Sequence, residues 1–234
     1  MKKILSVVLL SLLVLGGCTS KKETDLSLKI GVMPAVDSLP IFIADQLGIF
    51  EELGLEIEVE VYTNAMDRQS ALQSGGLDGA MTDVIALVNN VQNGFNIKVT
   101  TSTDGVFPLL HKEGALNKES LKAGMMEVSV TNYLSDEFLK GTPFTKEYIT
   151  DLPARLEMVG NGTLDVAVIP EPMASMGALN GLEKTFVELN DEYSPEIMVF
   201  NQSAIDKKSK SLELFHEGYN LALEKINEDP ATAR

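Results

Sequence analysis

The chain has one cysteine, two histidines, no tryptophan and few basic residues. A single cysteine cannot form an intramolecular disulfide, so the fold of this 234-residue chain has to rest on its hydrophobic core. Lysine and arginine number 19 against 34 aspartates and glutamates, which gives a formal net charge of −15. Affinity for nucleic acid comes mainly from basic side chains that neutralise phosphates, so the composition argues against a nucleic-acid partner.

The sequence also lacks the motifs of common hydrolases, metalloenzymes and nucleotide-binding proteins. His111 and His216 are isolated, so no HExxH, paired-histidine or Cys/His spacing is present to hold a metal. Neither a G-x-S-x-G nucleophile motif nor a P-loop occurs. His111 falls in a polar turn and His216 on a predicted helix over residues 212–226, and both are expected at the surface. We therefore predict a protein that is not an enzyme and has no catalytic residue, metal site or cofactor.

The N-terminus has the features of a bacterial lipoprotein signal. A short basic stretch precedes an apolar run over residues 4–15, which is shorter than the roughly 20 residues that a spanning helix needs. The sequence LGGC at residues 15–18 then resembles the lipobox, whose cysteine receives a diacylglyceryl group and becomes the new N-terminus. We predict a signal peptide over residues 1–17, lipidation at Cys18 and a polar tether that extends to residue 27.

Beyond the tether, strand-like apolar runs alternate with helical stretches that end in glycine, which is the order of an α/β fold. The pattern predicts a strand over residues 28–33, a helix over residues 39–47 that Gly48 ends, and a half-buried strand over residues 57–61. The next predicted elements are a helix capped by Asn64, a strand over residues 77–81, a helix over residues 84–93 capped by Asp83, and a strand over residues 97–101.

One segment of the sequence recurs at an offset of 87 residues. Residues 68–83, RQSALQSGGLDGAMTD, align without gaps with residues 155–170, RLEMVGNGTLDVAVIP. The identities pair Arg68 with Arg155, Gly75 with Gly162, Leu77 with Leu164, Asp78 with Asp165 and Ala80 with Ala167. Both segments predict a helix, a glycine turn and a buried strand. This recurrence favours two lobes of related architecture, although two uses of a common αβ unit would give the same pattern.

Longer segments carry a resemblance to a known family. Residues 30–62, IGVMPAVDSLPIFIADQLGIFEELGLEIEVEVY, resemble the opening strand, helix and second strand of the type 2 periplasmic binding proteins. The resemblance is to the branch of ABC-transporter solute-binding lipoproteins that includes nitrate, taurine, alkanesulfonate and thiamine-precursor binders. LQSGGLDGAMTD and NGTLDVAVIPEP are similar to the helix-to-strand turns of its two lobes. Residues 197–230 resemble the strand and long helix by which the chain re-enters the first lobe.

The resemblance implies a two-lobed α/β fold in which each lobe is a mixed, mainly parallel sheet flanked by helices, with a ligand cleft between the lobes. The implied boundaries are lobe 1 over residues 28–104, lobe 2 over residues 105–194 and a return to lobe 1 over residues 195–234. Family members usually continue further, so a truncated chain is expected. Hinge closure is expected where the chain crosses between the lobes, near residues 103–107 and 192–197.

The function implied by the resemblance is that of an extracytoplasmic, lipid-anchored and monomeric protein on the bacterial membrane. It would capture a small ligand and deliver it to a permease and its ATPase. Thiamine-pyrimidine synthases and menaquinone-pathway enzymes share the fold but are cytosolic, which the N-terminal signal argues against. A sensor that docks to a membrane receptor would have the same sequence features, and only the neighbouring genes would separate it from a transport component.

Candidate ligand contacts follow from a general rule for open α/β sheets. Ligands bind beyond the carboxyl ends of the strands, where helix N-termini also present free N–H groups. The residues that follow predicted strand ends are Asp37, Ser38, Leu39, Thr82, Asp83, Thr103, Asp104, Thr131, Asn132, Tyr133, Glu171 and Pro172. The group beginning at Thr131 assumes a strand over residues 128–130. The repeat predicts that Asp83 and Glu171 face each other across the cleft, and helix capping by Asp83 and Thr131 is an alternative of equal standing.

The charges at these strand ends predict the kind of ligand. Four acidic residues and no lysine or arginine stand there. Several carboxylates would repel an anion in a cleft where charges are poorly screened, so we predict a cationic or neutral hydrogen-bonding ligand such as a thiamine pyrimidine precursor. Small anions such as sulfonate, taurine, nitrate or bicarbonate are the alternative, because helix N-termini alone can bind them. The aromatic side chains that would either stack on a flat ring or pack in the core are Tyr62, Phe107 and Tyr133.

Overall fold

The computed structural model describes residues 26–187 and 195–233. The predicted signal peptide, the lipidation site at Cys18 and residues 192–194 of the second predicted crossover lie outside the described residues. Within the described part of the chain, no helix combines the length and the apolar character that crossing a membrane requires.

The described part of the chain contains ten strands, nine α-helices and three short 3₁₀ helices. The first half contains β1 (Ser27–Val32), α1 (Leu39–Gln46), α2 (Ile49–Glu52), β2 (Glu56–Val61), α3 (Ala65–Gln73), β3 (Gly79–Asp83), α4 (Val84–Gln92) and β4 (Ile97–Thr103). The middle contains β5 (Leu109–His111), β6 (Leu121–Met125), α5 (Val130–Phe138), β7 (Phe144–Tyr148), α6 (Leu152–Asn161), β8 (Val166–Val168), α7 (Met173–Leu179) and β9 (Glu183–Thr185). The last part contains β10 (Glu196–Asn201), α8 (Gln202–Lys207) and α9 (Ser209–Glu228).

The strands form two five-stranded sheets with the same topology. The strand orders are β2-β1-β3-β10-β4 in lobe 1 and β7-β6-β8-β5-β9 in lobe 2. In each sheet the first three strands are parallel, and the fourth, β10 or β5, runs antiparallel to both of its neighbours. That antiparallel strand is the one that enters its sheet directly from the other lobe. The predicted fold of two mixed, mainly parallel sheets is confirmed.

Helices cover both faces of each sheet. In lobe 1 the larger core lies between the sheet and helices α1, α2 and α9, where Phe215 stacks on Phe50 at 5.8 Å and meets the edge of Phe200 at 5.6 Å. A second core lies under α3 and α4 on the opposite face. In lobe 2, α5 covers one face, and α6 and α7 cover the other. This arrangement buries the central strands, whereas β2, β4 and β7 remain partly exposed. The carboxyl ends of the strands are left free to form a cleft.

The recurring segment forms the same unit in both lobes, α3–turn–β3 and α6–turn–β8. A Cβ atom added to Gly31 of β1 would lie 2.4 Å from Cδ1 of Leu77. A Cβ atom added to Gly124 of β6 would lie 2.4 Å from Cδ1 of Leu164. Each leucine of the repeat therefore packs directly on the backbone of the first strand of its lobe, and the glycine makes this close approach possible.

The repeated aspartates fix the same strands in place. Asp78 accepts a hydrogen bond from the backbone N–H of Lys29 at 2.9 Å, and Asp165 accepts one from that of Lys122 at 2.8 Å. Lys29 lies in β1 and Lys122 in β6, two residues before Gly31 and Gly124 respectively. The identities of the repeat thus join the helix-to-strand turn to the first strand of each lobe.

Both histidines differ from the sequence prediction of a surface position. His111 lies in β5 and is 4% exposed, with Nε2 2.8 Å from Oγ1 of Thr185. His216 is half-buried on α9 against the rings of Phe200 and Phe215. Strand β5 has only three residues, which is too short to show a periodicity, and its burial depends on pairing with β8 and β9.

Candidate functional site

The two lobes meet at two residues that lie just before the recurring segments. Asn64 and Asp151 form an isolated β-bridge between the lobes, and they are related by the same 87-residue offset. Each residue is also the N-cap of its helix, since Asn64 accepts from the backbone N–H of Met66 and Asp151 from that of Ala154. A second contact joins the lobes where the backbone N–H of Val36 donates to the carbonyl of Glu171 at 3.0 Å. The α3 and α6 N-termini therefore face each other across the cleft.

A central cavity of about 60 Å³ lies between the lobes beside these helix N-termini. Since a water molecule occupies roughly 10–15 Å³ on this measure, the cavity suits a small polar ligand or a polar group of a larger one. The polar residues that line it are Asp37, Ser38, Arg68, Asp83 and Glu196 from lobe 1, and Ser129, Thr131, Thr150 and Arg155 from lobe 2. Both lobes thus supply polar groups to one enclosed space.

Arg68 of α3 places a buried guanidinium group in the central cavity. The residue is 5% exposed, and its Nη2 donates to Oγ1 of Thr82 at 3.0 Å. Its Nε is buried and has no hydrogen-bond partner among the described residues. Burial lowers the pKa of Arg68, and the carboxylates of Glu196, Asp83 and Asp37 oppose that shift. The guanidinium group therefore lies within electrostatic range of three acids and keeps a free donor.

The three acids around Arg68 are buried, and burial changes their protonation. Burial raises the pKa of Asp37 to about 6, with Arg68 acting in the opposite direction. Burial raises the pKa of Asp83 as well, against hydrogen bonds from the backbone N–H groups of Ala86 and others. Burial, and then repulsion by Asp37 and Asp83, raises the pKa of Glu196 well above its ordinary value. Burial thus favours the protonated form of each of the three carboxyl groups, and the charge of Arg68 opposes this effect.

Arg155 is the lobe 2 equivalent of Arg68. It lies on α6, is 3% exposed, and its Nη1 is 3.4 Å from Oγ1 of Thr131. Its Nε is also buried without a partner among the described residues. Burial lowers the pKa of Arg155 to about 10, with Asp151 opposing, so the group is positively charged at neutral pH. Lobe 2 therefore contributes a cation to a cavity to which lobe 1 contributes three acids.

Two arginines line the central cavity although no basic residue follows any of the predicted strand ends. Arg68 and Arg155 precede β3 and β8 by about ten residues, on helices α3 and α6, and their long side chains reach the strand ends from there. The rule applied to the sequence considered only residues that follow a strand. The sequence nevertheless marked both arginines, because they are the first identity of the segment that recurs at an offset of 87 residues.

Four of the predicted contacts line the central cavity: Asp37, Ser38, Asp83 and Thr131. Two more are buried beside it. Thr82 accepts hydrogen bonds from Arg68 and Gln69, and Thr103 lies opposite Glu196 in the ladder between β4 and β10. Asp83 also caps α4 by accepting from the backbone N–H of Ala86 at 2.8 Å, so capping and a position in the cavity coexist.

The remaining six predicted contacts lie outside the lining of the central cavity: Leu39, Asp104, Asn132, Tyr133, Glu171 and Pro172. Glu171 does not face Asp83 across it, because its carboxylate pairs with Lys184 at 2.6 Å and accepts from the backbone N–H of Ser175. Asn132 accepts from Lys146, and Asp104 is exposed. A position after a strand therefore does not suffice to place a side chain in the cavity, since Glu171 and Asn132 have other partners and Asp104 is exposed.

The predicted strand over residues 128–130 does not exist. Strand β6 ends at Met125, and Val130 begins α5. Ser129 caps this helix by accepting from the backbone N–H of Thr131, so Thr131 is not the N-cap. Its hydroxyl group instead lies beside Arg155.

The three predicted stacking residues lie in different environments. Of the three predicted stacking residues, Phe107 lines the central cavity, whereas the hydroxyl of Tyr62 bonds to Glu60 and Tyr133 is 39% exposed. No group of three or more His, Cys, Asp or Glu side chains among the described residues could hold a metal ion. The sequence analysis did not predict Glu196 as a site residue. Its only distinguishing feature in the sequence is its position at the start of the strand that returns to lobe 1.

Comparison with known proteins shows one matching sequence family and several solved structures with a similar fold. Residues 21–146 match the NMT1-like family. No curated protein sequence matches significantly. The zinc-bound ligand-binding component of an ABC-type import system from Staphylococcus aureus is similar with a TM-score of 0.75 and 20% identity, covering 88% of this chain and 76% of that one.

Two further solved structures have the same fold. The alkanesulfonate-binding protein SsuA from Xanthomonas axonopodis pv. citri, bound to MOPS, is similar with a TM-score of 0.71 and 16% identity, covering 89% of this chain and 76% of that one. The periplasmic nitrate-binding protein NrtA from Synechocystis PCC 6803 is similar with a TM-score of 0.72 and 13% identity, covering 85% of this chain and 61% of that one. At these identities the likeness concerns the fold.

Proposed function

The chain belongs to the NMT1-like family, and from this premise we propose that it is the extracytoplasmic solute-binding component of an ABC importer. The observation that supports this most is the central cavity, where buried polar groups of opposite charge converge from two lobes. Such a cavity between lobes is the usual position of a small-molecule site. The same fold in proteins described as parts of ABC import systems supports the proposal.

The charges of the cavity favour a ligand without net charge that has donors on one side and acceptors on the other. Burial favours the uncharged form of Glu196, and the two guanidinium groups share the cavity with Asp37 and Asp83. A donor of the ligand would meet the carboxylates of lobe 1, and an acceptor would meet Arg155 of lobe 2. An aminopyrimidine has both groups on one ring, so a thiamine pyrimidine precursor stays within the proposed class.

Small anions are the second candidate, and one observation favours them. Arg68 and Arg155 each have a buried Nε with no partner among the described residues, and buried donors of this kind normally have one. A sulfonate or nitrate that bridged the two arginines would satisfy both. The names of the sulfonate-binding and nitrate-binding proteins with the same fold point the same way.

The proposed mechanism is closure of the lobes around the ligand. The acids lie on lobe 1 and Arg155 on lobe 2, so the complete set of contacts exists only when the lobes are together. The chain crosses between the lobes at residues 104–108, and a Cβ atom on Gly105 would lie 2.5 Å from the Phe107 ring and 2.6 Å from Cγ of Glu196. This crossover therefore packs against the acid cluster, which places ligand contacts next to the proposed hinge.

The other parts of the proposal concern the setting of the protein. A lipid on Cys18 would hold it at the outer face of the membrane, where the closed form would present its ligand to a permease driven by an ATPase. We propose no catalytic step, because the groups in the cavity act as hydrogen-bond and charge partners. Sensing through a membrane receptor would use the same cleft.

Thermal unfolding in the presence of candidate ligands tests this function. The panel contains hydroxymethylpyrimidine, taurine, nitrate and an aliphatic sulfonate. A true ligand at about 100 times its Kd stabilises the folded state by roughly 2.7 kcal/mol, which is readily measured. A shift with hydroxymethylpyrimidine supports the favoured class, and a shift with nitrate and sulfonate alone would support the second candidate instead.

The variant Asp83→Asn tests the position of the site. Asn is as good an N-cap as Asp, so α4 should remain intact while one charge is lost. We expect the affinity of the ligand that stabilises the parent to fall by roughly 1.5–3 kcal/mol, the range for a hydrogen bond to a charged group. Lys210→Met, at an exposed ion pair on α9, is the control. Unchanged affinity in Asp83→Asn would place the ligand elsewhere.

A further inference from the structure

A second and larger space lies between the lobes, outside the central cavity. This outer chamber has a volume of about 420 Å³. Helices α3 and α4 form its lobe 1 wall, and the segments that follow β6 and β7 form its lobe 2 wall. Met126 and Thr150 line both spaces, so the two are adjacent. The outer chamber falls within the roughly 300–1,000 Å³ of ordinary ligand pockets, whereas the central cavity does not.

The lobe 1 wall of the outer chamber is a network of side-chain amides. Asn90 is 1% exposed, donates to Oε1 of Gln69 at 3.1 Å and accepts from Nε2 of Gln73 at 2.6 Å. Gln69 in turn donates to Oγ1 of Thr82 at 2.7 Å, the same oxygen that accepts from Arg68. One continuous chain of hydrogen bonds therefore connects the central cavity to the outer chamber, and it holds the amides in fixed positions.

The chemistry of the outer chamber differs from that of the central cavity. Glu127 is the one charged residue among those that line it. Gln73 and Asn89 present amide groups, which offer a donor and an acceptor side by side. Met66 and Tyr148 line it from opposite lobes and are 56% and 51% exposed. Amide edges together with an exposed aromatic face suit an uncharged ring that has donors and acceptors on its rim.

Building on the proposed function, we propose that the outer chamber is a second subsite, which binds an uncharged ring of the ligand while a polar substituent of the same ligand enters the central cavity. Gln73 and Asn89 bind the rim of the ring, and Tyr148 packs on its face. A nitrogen heterocycle and a sugar ring share this chemistry. The ligand is then a two-part molecule that extends through both spaces.

Methionine methyl groups report which space a probe enters. Met66 lines only the outer chamber, Met33 and Met81 line only the central cavity, and Met126 lines both. The full chain, labelled with ¹³C at the methionine methyls, is titrated with cytosine or with D-ribose and followed by NMR. We expect saturable shifts at Met66 and Met126, while Met176, which lines neither space, stays unchanged.

The two probes and the reporters give distinct outcomes. Shifts with cytosine alone identify a heterocycle, and shifts with D-ribose alone identify a sugar. Shifts at Met33 and Met81 without Met66 would overturn the outer chamber and leave the proposed function standing, because the ring would then lie in the central cavity. No saturable shift with either probe also overturns the proposal, and the ligand panel with Asp83→Asn then decides separately on the proposed function.

Substitutions in the wall test the assigned contacts. Gln73→Leu and Asn89→Ala should each weaken the probe that binds by roughly fivefold, the effect of one neutral hydrogen bond. Tyr148→Ala should weaken it at least as much, and because this side chain is half-exposed, the variant keeps the test decisive if Gln73→Leu does not fold. Gln92→Ala, on the same helix as Asn89 but outside the lining, is the matched control. If the three test variants bound the probe as tightly as the parent and the control do, the subsite would be refuted.

Discussion

Arg68 and Arg155 are two buried cations in a cavity that also contains three acids. Each is buried at an equivalent position of the repeat and lines the central cavity. Asp37, Asp83 and Glu196 share the cavity with them, so the site is neither simply acidic nor simply basic. Because the acids are desolvated as well as close together, their protonation should depend on folding, and the stability of the protein should depend on pH.

Glu196→Gln should stabilise the protein at pH 7.5 and have little effect at pH 4.5. The folded-state pKa of Glu196 lies well above 4.5, so as pH rises past 4.5 the unfolded chain loses this proton while the folded chain keeps it. The folded state then binds more protons than the unfolded state, and the free energy of unfolding falls with pH until the folded pKa is reached. Glutamine has no proton to lose in this range, so it removes the decrease in the free energy of unfolding. Urea unfolding of the parent and the variant at the two pH values measures the difference.

Glu60→Gln is the matched control for this prediction, with the opposite sign. Hydrogen bonds from Lys29 and then Tyr62 lower the pKa of Glu60, so its contribution is present above pH 4.5 and lost as pH falls through the folded pKa. Because the side chain is about one-third exposed to solvent, the effect should be small. A Glu196→Gln variant that was destabilised equally at both pH values would contradict the desolvated cluster.

At the scale of elements, the repeat is a structural device present in both lobes. Its leucine packs on the first strand of each lobe, and its aspartate binds a backbone N–H of that strand. Its arginine lines the central cavity from the helix. One helix–turn–strand unit therefore joins the core of a lobe to the ligand site, which explains why these residue types recur.

Gly124→Ala should destabilise lobe 2 because the new Cβ would lie 2.4 Å from Cδ1 of Leu164. Overpacking of this kind costs roughly 1–3 kcal/mol. Adding Leu164→Val should recover part of the loss, since the other close atoms around this Cβ also belong to Leu164. The free energies of unfolding of the two single variants and the double variant, measured in urea, give the coupling between the residues.

Gly160→Ala is the control for this substitution. It lies in α6, and a Cβ there would meet nothing within 4 Å. Alanine in place of an unhindered helical glycine should stabilise the protein by about 0.5–1 kcal/mol. If Gly124→Ala behaved like Gly160→Ala, the close packing of the repeat would be wrong.

The long elements were predictable and the short ones were not. The pattern located β1, α1, β2 and α4 to within about two residues, because each shows a clear period and a capping or ending residue. β3 lies two residues later than predicted. Val128 and Val130 suggested a strand by alternation, yet they belong to a turn and a helix start. Three residues are too few to distinguish a strand from a turn that leads into a helix. Pairing with distant strands determines which of the two forms.

At the scale of the whole molecule, backbone contacts join the two lobes. The backbone N–H of Val36 donates to the carbonyl of Glu171, and Asn64 forms a bridge with Asp151. These contacts surround the central cavity, so their strength sets how readily the cleft opens. Closure should therefore respond to a change in one backbone hydrogen bond.

Val36→Pro should shift the molecule towards the open form. Val36 begins a short 3₁₀ helix, and Ala35 before it is extended, so proline fits the backbone and removes only the N–H that donates to Glu171. Loss of a hydrogen bond worth about 0.5–1.5 kcal/mol changes the ratio of closed to open forms by roughly two- to tenfold.

Spin labels on cysteines introduced at Val99 and Leu179, both exposed and on different lobes, measure this change once Cys18 is replaced by serine. A longer mean distance in Val36→Pro than in the control Val36→Ala is expected, because alanine keeps the N–H. Identical distance distributions in the two variants would show that this contact does not govern closure.

Periodicity, capping and recurrence are local signals, and they were enough to predict the α/β class, the two related lobes and the capping of α4 by Asp83. The sequence also contained Arg68 and Arg155 as a repeated pair without showing what they face. Only the tertiary structure decided which side chains converge, how deeply the acids are buried and that Glu171 pairs with Lys184. Those properties depend on distances between residues far apart in the chain, and the charge balance of the cavity depends on them in turn.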